Sequence, residues 1–236
     1  MIRFDKVIVG YNEALLTIDN LALEKGRVYA LIGANGSGKS TFMKSIHGNL
    51  PLLQGKIELD GIELSKLTIA EKSTRIAFVD AHFRGIDHLT VYEYVALGRT
   101  PHTNFMGTLN QNDHAIISRS IDRVGISHKA QALTTQLSDG ERQLCAVARA
   151  LAQSPVFLLL DEPTAFLDYG NRKSLLTTLS NLTKEEPLVV LMSSHDIELC
   201  VNTNLELLVI DNSTKQLRQL ATGSDLTQIT ALAFPE

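Results

Sequence analysis

The stretch that most constrains this chain is Gly33-Ala34-Asn35-Gly36-Ser37-Gly38-Lys39-Ser40-Thr41, set between a buried-strand pattern and a helix pattern. Before it, Val28-Tyr29-Ala30-Leu31-Ile32 is a short apolar run of strand type, and residues 41–46 after it read as helix. Glycine at 33, 36 and 38 predicts backbone at positive φ, with amide groups brought against an anion where any Cβ would obstruct the approach. Lys39 supplies a cation to such a loop and Ser40 a hydroxyl suited to magnesium. The spacing G-x-x-x-x-G-K-[ST] in a strand–loop–helix setting therefore predicts a cradle for nucleotide phosphates. Its parts are Gly33, Asn35, Gly36, Ser37, Gly38, Lys39, Ser40 and Thr41.

A cradle needs a scaffold, and 236 residues can bury a substantial core as a single domain spanning 1–236. The composition, 44% hydrophobic and 20% charged, is that of a soluble globular protein. A net charge of -4 gives no reason to expect a nucleic-acid partner. The longest apolar run, Val156-Phe157-Leu158-Leu159-Leu160, is far short of the roughly 20 residues a membrane helix requires. Met1 to Asp5 lacks the apolar core of a signal peptide, so a cytosolic location is expected. Cys145 and Cys200 are expected to be buried free thiols, because two isolated cysteines have no metal-ligand spacing.

Along the chain, residues 7–9, 15–18 and 21–23 read as short strands, and 56–61 as an edge strand ending in a turn. Residues 76–79 form another buried strand pattern. From 90 to 152 the signals are mostly helical, including Ile117, Ile121 and Val124 on one face. Apolar runs return at 156–160, 188–192 and 205–210, separated by a helix over 171–182. Strands alternating with helices predict an α/β fold with a parallel sheet and an all-helical insertion at about 88–152.

The run 157–160 delivers Asp161 and Glu162 at its C-terminal end, the edge at which open α/β sheets bind ligands. A carboxylate there can hold the magnesium that bridges the β- and γ-phosphates, the Walker B role for Asp161. Glu162, one residue on, is placed to orient or deprotonate an attacking water. Leu137-Ser138-Asp139-Gly140-Glu141 opens a helix expected over 141–152, with Ser138 as N-cap and Glu141 completing a capping box. Taken in order, these motifs, then Asp161-Glu162-Pro163-Thr164, Leu167-Asp168 and Ser193-Ser194-His195-Asp196, resemble the ATP-binding cassette (ABC) ATPase family over essentially the whole chain.

That resemblance implies a P-loop NTPase of the ABC ATPase type: a parallel core, an antiparallel β subdomain and the helical insertion. It implies magnesium-dependent ATP hydrolysis by a homodimer, with Ser138 and Gly140 facing the γ-phosphate bound by the other copy. Catalysis falls to Glu162, His195 and Lys39, and metal binding to Ser40 and Asp161. Tyr11 matches the aromatic that stacks on adenine, and Asp168 the loop that crosses the dimer interface.

Two departures stand out. The signature has Asp139 and Glu141 where the family usually has glycine and glutamine. Beyond the strand at 76–79, where a glutamine usually touches magnesium or water, the chain reads Asp80-Ala81-His82-Phe83, leaving Asp80, His82 or no residue in that role.

Leu97-Gly98-Arg99-Thr100-Pro101-His102 resembles a segment of the importer ATPases for iron-siderophores, haem and cobalamin, and as geometry it reads as a helix stopped by Gly98 and Pro101. The implied partners are integral membrane permease subunits and, indirectly, a substrate-binding protein. The implied location is peripheral, on the inner face of the cytoplasmic membrane. The aromatics Phe83, Tyr92 and Tyr94 are candidate anchors for the permease and Glu93 a candidate exposed position. The alternative is a soluble ABC-type ATPase or nucleotide-gated interaction module without a permease.

Overall fold

The computed structural model describes residues 1–220 and 224–234; the expected span 1–236 therefore includes residues outside the described ones. The elements run β1 (Ile2–Gly10), β2 (Ala14–Leu23), β3 (Arg27–Ile32), α1 (Lys39–His47), β4 (Gln54–Leu59), β5 (Ile62–Glu63), α2 (Ile69–Arg75) and β6 (Ile76–Val79). Then come α3 (Val91–Ala96), α4 (Gln111–Arg123), α5 (Asp139–Ala152), β7 (Phe157–Leu160), α6 (Tyr169–Glu185) and β8 (Val189–Ser193). The last are α7 (Ile197–Asn202), β9 (Glu206–Asp211), β10 (Gln216–Leu220) and α8 (Leu226–Ala233).

All the described strands join one sheet in the order β5-β4-β1-β2-β10-β9-β3-β8-β7-β6. From β9 to β6 neighbours are parallel, while β1, β2, β4 and β5 pair antiparallel. Strand β10, which the sequence reading missed, joins the two regions through Gln216 opposite Thr17. Gln216, Arg218 and Gln219 break up its two leucines, and none of the five residues is fully buried, so no apolar alternation announces it. The separate runs expected at 15–18 and 21–23 are one ten-residue strand, because Asn20 continues the ladder opposite Asp5, between the pairs Phe4–Leu21 and Val7–Ile18.

The core strands are apolar along their middles because both of their faces are covered. Alternation along β3 sends Val28, Ala30 and Ile32 to one face, with α5 and α6, and Tyr29 and Leu31 to the other, with Phe42, Met43 and Ile46 of α1. In the same way β7 divides into Leu158 and Leu160 on the first face and Phe157 and Leu159 on the second. Each such side chain, fully buried, contributes about 1.5–3 kcal/mol relative to exposure. This packing fixes the strand ends at which the polar residues sit.

Among the described residues, 91–152 contain helices and turns, with one isolated bridge between Thr90 and Leu133. Ile117 and Ile121 of α4 are buried, and Val124 just beyond it is 8% exposed. The expected stop at Gly98 and Pro101 is corrected. Helix α3 ends at Ala96, and a 3₁₀ turn, Leu97–His102, carries both residues. Gly98 is required by packing, since a Cβ there would lie 2.2 Å from the Arg149 carbonyl oxygen. Arg99 is buried with Asp113 (Nε to Oδ1, 2.9 Å) and also donates to the Ala152 carbonyl at 2.8 Å. His102 Nε2 meets the Gln153 carbonyl at 2.8 Å, and Gln153 Nε2 donates to the Ser73 and Ile76 carbonyls. The segment is thus a clamp that ties α4 and the end of α5 to the start of β6. Both cysteines are free and buried, and burial pushes the Cys145 thiol up to about 12.

Candidate functional site

Strand β3 stops at Ile32 and α1 begins at Lys39, so the six residues between wrap at the sheet's C-terminal edge. Gly36 and Gly38 lie at φ 77° and 101°, a region costly for any residue with a Cβ. Gly33 does not share the expected positive φ. Its constraint is steric: a Cβ would lie 2.7 Å from Ser37 Oγ. Helix α1 has Gly38 as N-cap, no side-chain cap and no acidic residue in its first turn, so its amides and dipole are left for an anion. Ser37 Oγ is buried without a partner, and the buried Lys39 donates to its own loop carbonyls, Gly33 at 2.7 Å and Ala34 at 3.1 Å. Burial holds the Lys39 ammonium below its usual range, opposed by Glu162 and Asp161. An orphaned hydroxyl, open amides and a lysine held by weak neutral acceptors fit a bound triphosphate. The cavity of about 180 Å³ is lined by Asn35, Gly36, Gly38, Lys39, Ser40, Thr41 and, from across the sheet edge, Glu162.

At the end of β7, Asp161 is 6% exposed, and its N–H continues the sheet to the Val79 carbonyl at 2.9 Å. Ser193, the last residue of β8, donates to Asp161 Oδ1 at 2.6 Å and accepts from the Glu162 N–H at 2.8 Å. One fully buried hydroxyl therefore sets both carboxylate residues, a part missed in the sequence; the available signal was a serine ending an otherwise apolar strand next to His195. Glu162 adopts φ 46°, strained backbone for a non-glycine residue. Its Oε1 meets His195 Nε2 at 2.8 Å, with both side chains partly open to solvent.

The other expected residues lie outside this cavity. Ser138 caps α5 by accepting from the Glu141 N–H at 3.3 Å, while Glu141 accepts from the Ser138 N–H at 2.9 Å. The two carboxylates peculiar to this signature have their own cations: Arg142 bonds Asp139, and Lys129 pairs with Glu141 at 3.2 Å. Gly140 lets the first turn of α5 approach the loop after β7, since a Cβ would meet the Phe166 carbonyl at 3.1 Å. Asp168 caps α6, accepting from the Asn171 N–H at 2.8 Å. Tyr11 is 62% exposed on the turn between β1 and β2, and the first residues of β2, Leu15 and Leu16, flank Gly38.

The loop after β6 makes its contacts elsewhere. His82 packs on Phe166 (ring centroids 5.3 Å apart). At the end of α1, burial holds the His47 imidazole below its usual range, opposed first by its hydrogen bond with Asn49 and then by the charge of Asp80. Neither His82 nor Asp80 lines the phosphate cavity. Of the aromatic anchors, Tyr94 is 7% exposed, stacked on Phe83 at 4.2 Å and covered by Arg149 at 5.8 Å, so it is core. The Tyr92 hydroxyl bonds His114 Nδ1 at 2.6 Å. Glu93 is exposed but completes a capping box with Thr90, so charge reversal there would fray α3.

The chain as a whole is similar to known proteins. The family model described as ABC transporter matches residues 16–165. The iron(3+)-hydroxamate import ATP-binding protein of Bacillus subtilis is 35% identical over 190 residues, covering 80% of this chain and 71% of that protein. The thiamine import ATP-binding protein of Brucella abortus biovar 1 is 32% identical over 235 residues, covering 100% of this chain and 92% of that protein. Among solved structures, a transporter provisionally assigned to the metal-chelate type, in an inward-facing conformation, gives TM-score 0.82 at 28% identity over 98% of this chain and 88% of that one. A dimeric ATP-binding cassette with ADP and phosphate in a post-hydrolysis state gives 0.80 at 25% identity over 95% of this chain and 100% of that one. The phosphate loop, the paired carboxylates at the strand edge and these likenesses together place the chain in the ABC transporter family, as an ATP-binding and ATP-hydrolysing subunit.

Proposed function

We propose that this chain powers an importer whose cargo is an iron-siderophore, haem or cobalamin, working as one of two copies in a head-to-tail homodimer on the inner face of the cytoplasmic membrane. The observation that carries the dimer is the separation of the two halves: Lys39, Ser40 and Glu162 share a cavity that neither Ser138 nor Gly140 lines. The N-terminal end of the α5 dipole and the Ser138 hydroxyl then serve the γ-phosphate held by the other copy. Gly33, Asn35, Gly36, Ser37, Gly38 and Thr41 cradle the phosphates, and Tyr11 offers its exposed ring to adenine. Ser40 and Asp161 hold magnesium, which when bound neutralises charge on the β- and γ-phosphates. Glu162 orients the attacking water, and His195, now bonded to Glu162, turns to the γ-phosphate. Asp168, on the loop beside the signature, reaches the dimer interface.

Support for the importer group comes from relatives named for iron(3+)-hydroxamate import and for cobalamin import, the latter in Halobacterium salinarum at 35% identity over 189 residues. No helix among the described residues is long and apolar enough to cross a membrane, consistent with a peripheral subunit on permease partners. For the docking surface we favour Ile86, which is 42% exposed on a loop held by two hydrogen bonds to Thr134 Oγ1. The test is to purify membranes from cells carrying wild type or Ile86→Glu and to measure both recruitment and ATP affinity. Loss of recruitment with unchanged affinity is expected. Full recovery of the protein in the soluble fraction for wild type as well would overturn the importer reading in favour of a permease-free ATPase.

A further inference from the structure

The nucleotide cavity is not the largest in the molecule. A second one, about 460 Å³, lies at the far end of α1 and is closed by β4, the turn after β5 and α2. That volume falls within the range of small-molecule sites. Its walls are mixed. Ile46, Leu52, Ile57 and Leu64 back it, with Ile46, Ile57 and Leu64 packed into the core and at most 7% exposed. Two polar groups stand out against them. Ser45, which is 5% exposed, is among the lining residues, and its buried Oγ has no hydrogen-bond partner. An unpaired buried hydroxyl is costly, and a ligand acceptor would satisfy it.

The second group is Lys72. Its Nζ lies 3.4 Å from the position a Cβ would take on Gly48, and no ion pair engages it among the described residues. The other charges on the wall are already matched: Glu63 bonds Ser65 and pairs with Lys66 at 3.6 Å, and Lys56 pairs with Glu58 at 2.9 Å. Ser45 and Gly48 are three residues apart along α1 and its cap, so the orphan hydroxyl and the free ammonium bracket one helical turn.

We infer that this cavity binds an organic monoanion with an apolar body, of the medium-chain carboxylate type, its carboxylate accepting from Ser45 Oγ and Lys72 Nζ. The bound molecule packs on the same helix whose first turn lies at the phosphate loop. The inference is independent of the permease reading, because binding requires neither a membrane nor a nucleotide.

Titration calorimetry of the full chain with decanoate, and with decanol as its uncharged counterpart, tests it. Decanoate is expected to bind at one site and decanol roughly tenfold more weakly, the scale of one charge-assisted contact. Lys72→Gln should abolish that preference, Ser45→Val should weaken decanoate by several fold, and Lys39→Ala should leave decanoate binding unchanged. A thermal melt of each variant identifies any loss of folding, and Lys72→Arg, which keeps the charge, should retain the preference. Absence of decanoate binding overturns the inference, as does competition by ATP, which would put the carboxylate on the phosphate loop. Loss of membrane recruitment in Lys72→Gln with no decanoate binding to wild type would make the cavity part of a protein interface and also overturn it.

Discussion

The phosphate-binding edge of the sheet and the helical insertion solve different problems. At the edge, the polar groups are delivered by strands buried on both faces, and their positions follow from backbone geometry and one shared hydroxyl, Ser193. In the insertion, residues that look functional are largely engaged with one another: Arg99 with Asp113, Tyr94 with Phe83, Glu93 with Thr90. The difference teaches that departures from family pattern are tolerated where local partners absorb them. Asp139 and Glu141 each have a cation, so the altered signature does not present two uncompensated charges.

The largest effect expected at the sheet edge is from Glu162→Gln, which removes the group proposed to orient water and leaves Ser40 and Asp161 in place. Turnover should fall by roughly 10²–10⁴ while ATP-dependent dimers accumulate, read by single-turnover kinetics and size-exclusion chromatography. Wild-type turnover from a variant that stays monomeric in saturating ATP would erase the contrast.

The insertion's counterpart is Arg99→Ala, which strands the Asp113 carboxylate in the interior. Its thermal midpoint should drop by roughly 10 °C, without rescue by lysine, whose single ammonium cannot serve both Asp113 and the Ala152 carbonyl. If Arg99→Ala melts like wild type, the clamp is not what holds α4 and α5 to the core.

Smaller effects sharpen the boundary between the regions. Ser193→Ala should lower turnover by about tenfold, equivalent to about 1.4 kcal/mol in the barrier, with ATP affinity nearly unchanged, because it acts only by setting Asp161 and Glu162. His82→Ala should change turnover by less than about threefold, since its ring packs on Phe166 and does not line the phosphate cavity. A tenfold loss at constant affinity would instead give His82 the missing glutamine's task.

The smallest effect is a pH dependence at the β9–β10 turn. A hydrogen bond from Ser213, with further help from Thr214, holds the Asp211 carboxyl down at about 2. A depressed acid stabilises the fold fully above its unfolded value of about 3.9, and the contribution is lost as pH falls through about 2. Denaturation midpoints of wild type and Asp211→Asn should therefore differ at pH 7 and converge in strong acid. A gap as wide at pH 2 as at pH 7 would assign the aspartate's role to packing.

Local sequence was enough wherever the participants are neighbours along the chain. Gly33 to Thr41 specify the phosphate loop because glycine conformations and helix-end amides act within nine residues, and Asp161-Glu162 follow the apolar run that delivers them. Tertiary structure alone decided the rest. Ser193 reaches two residues more than thirty positions away, β10 owes its place to backbone pairing rather than apolar alternation, and Arg99, read as part of a helix stop, is held by partners fourteen and fifty-three residues on. Periodicity records which face of an element is buried, but it carries no record of which distant polar group meets which. That pairing is set only when packed strands and helices fix the distances.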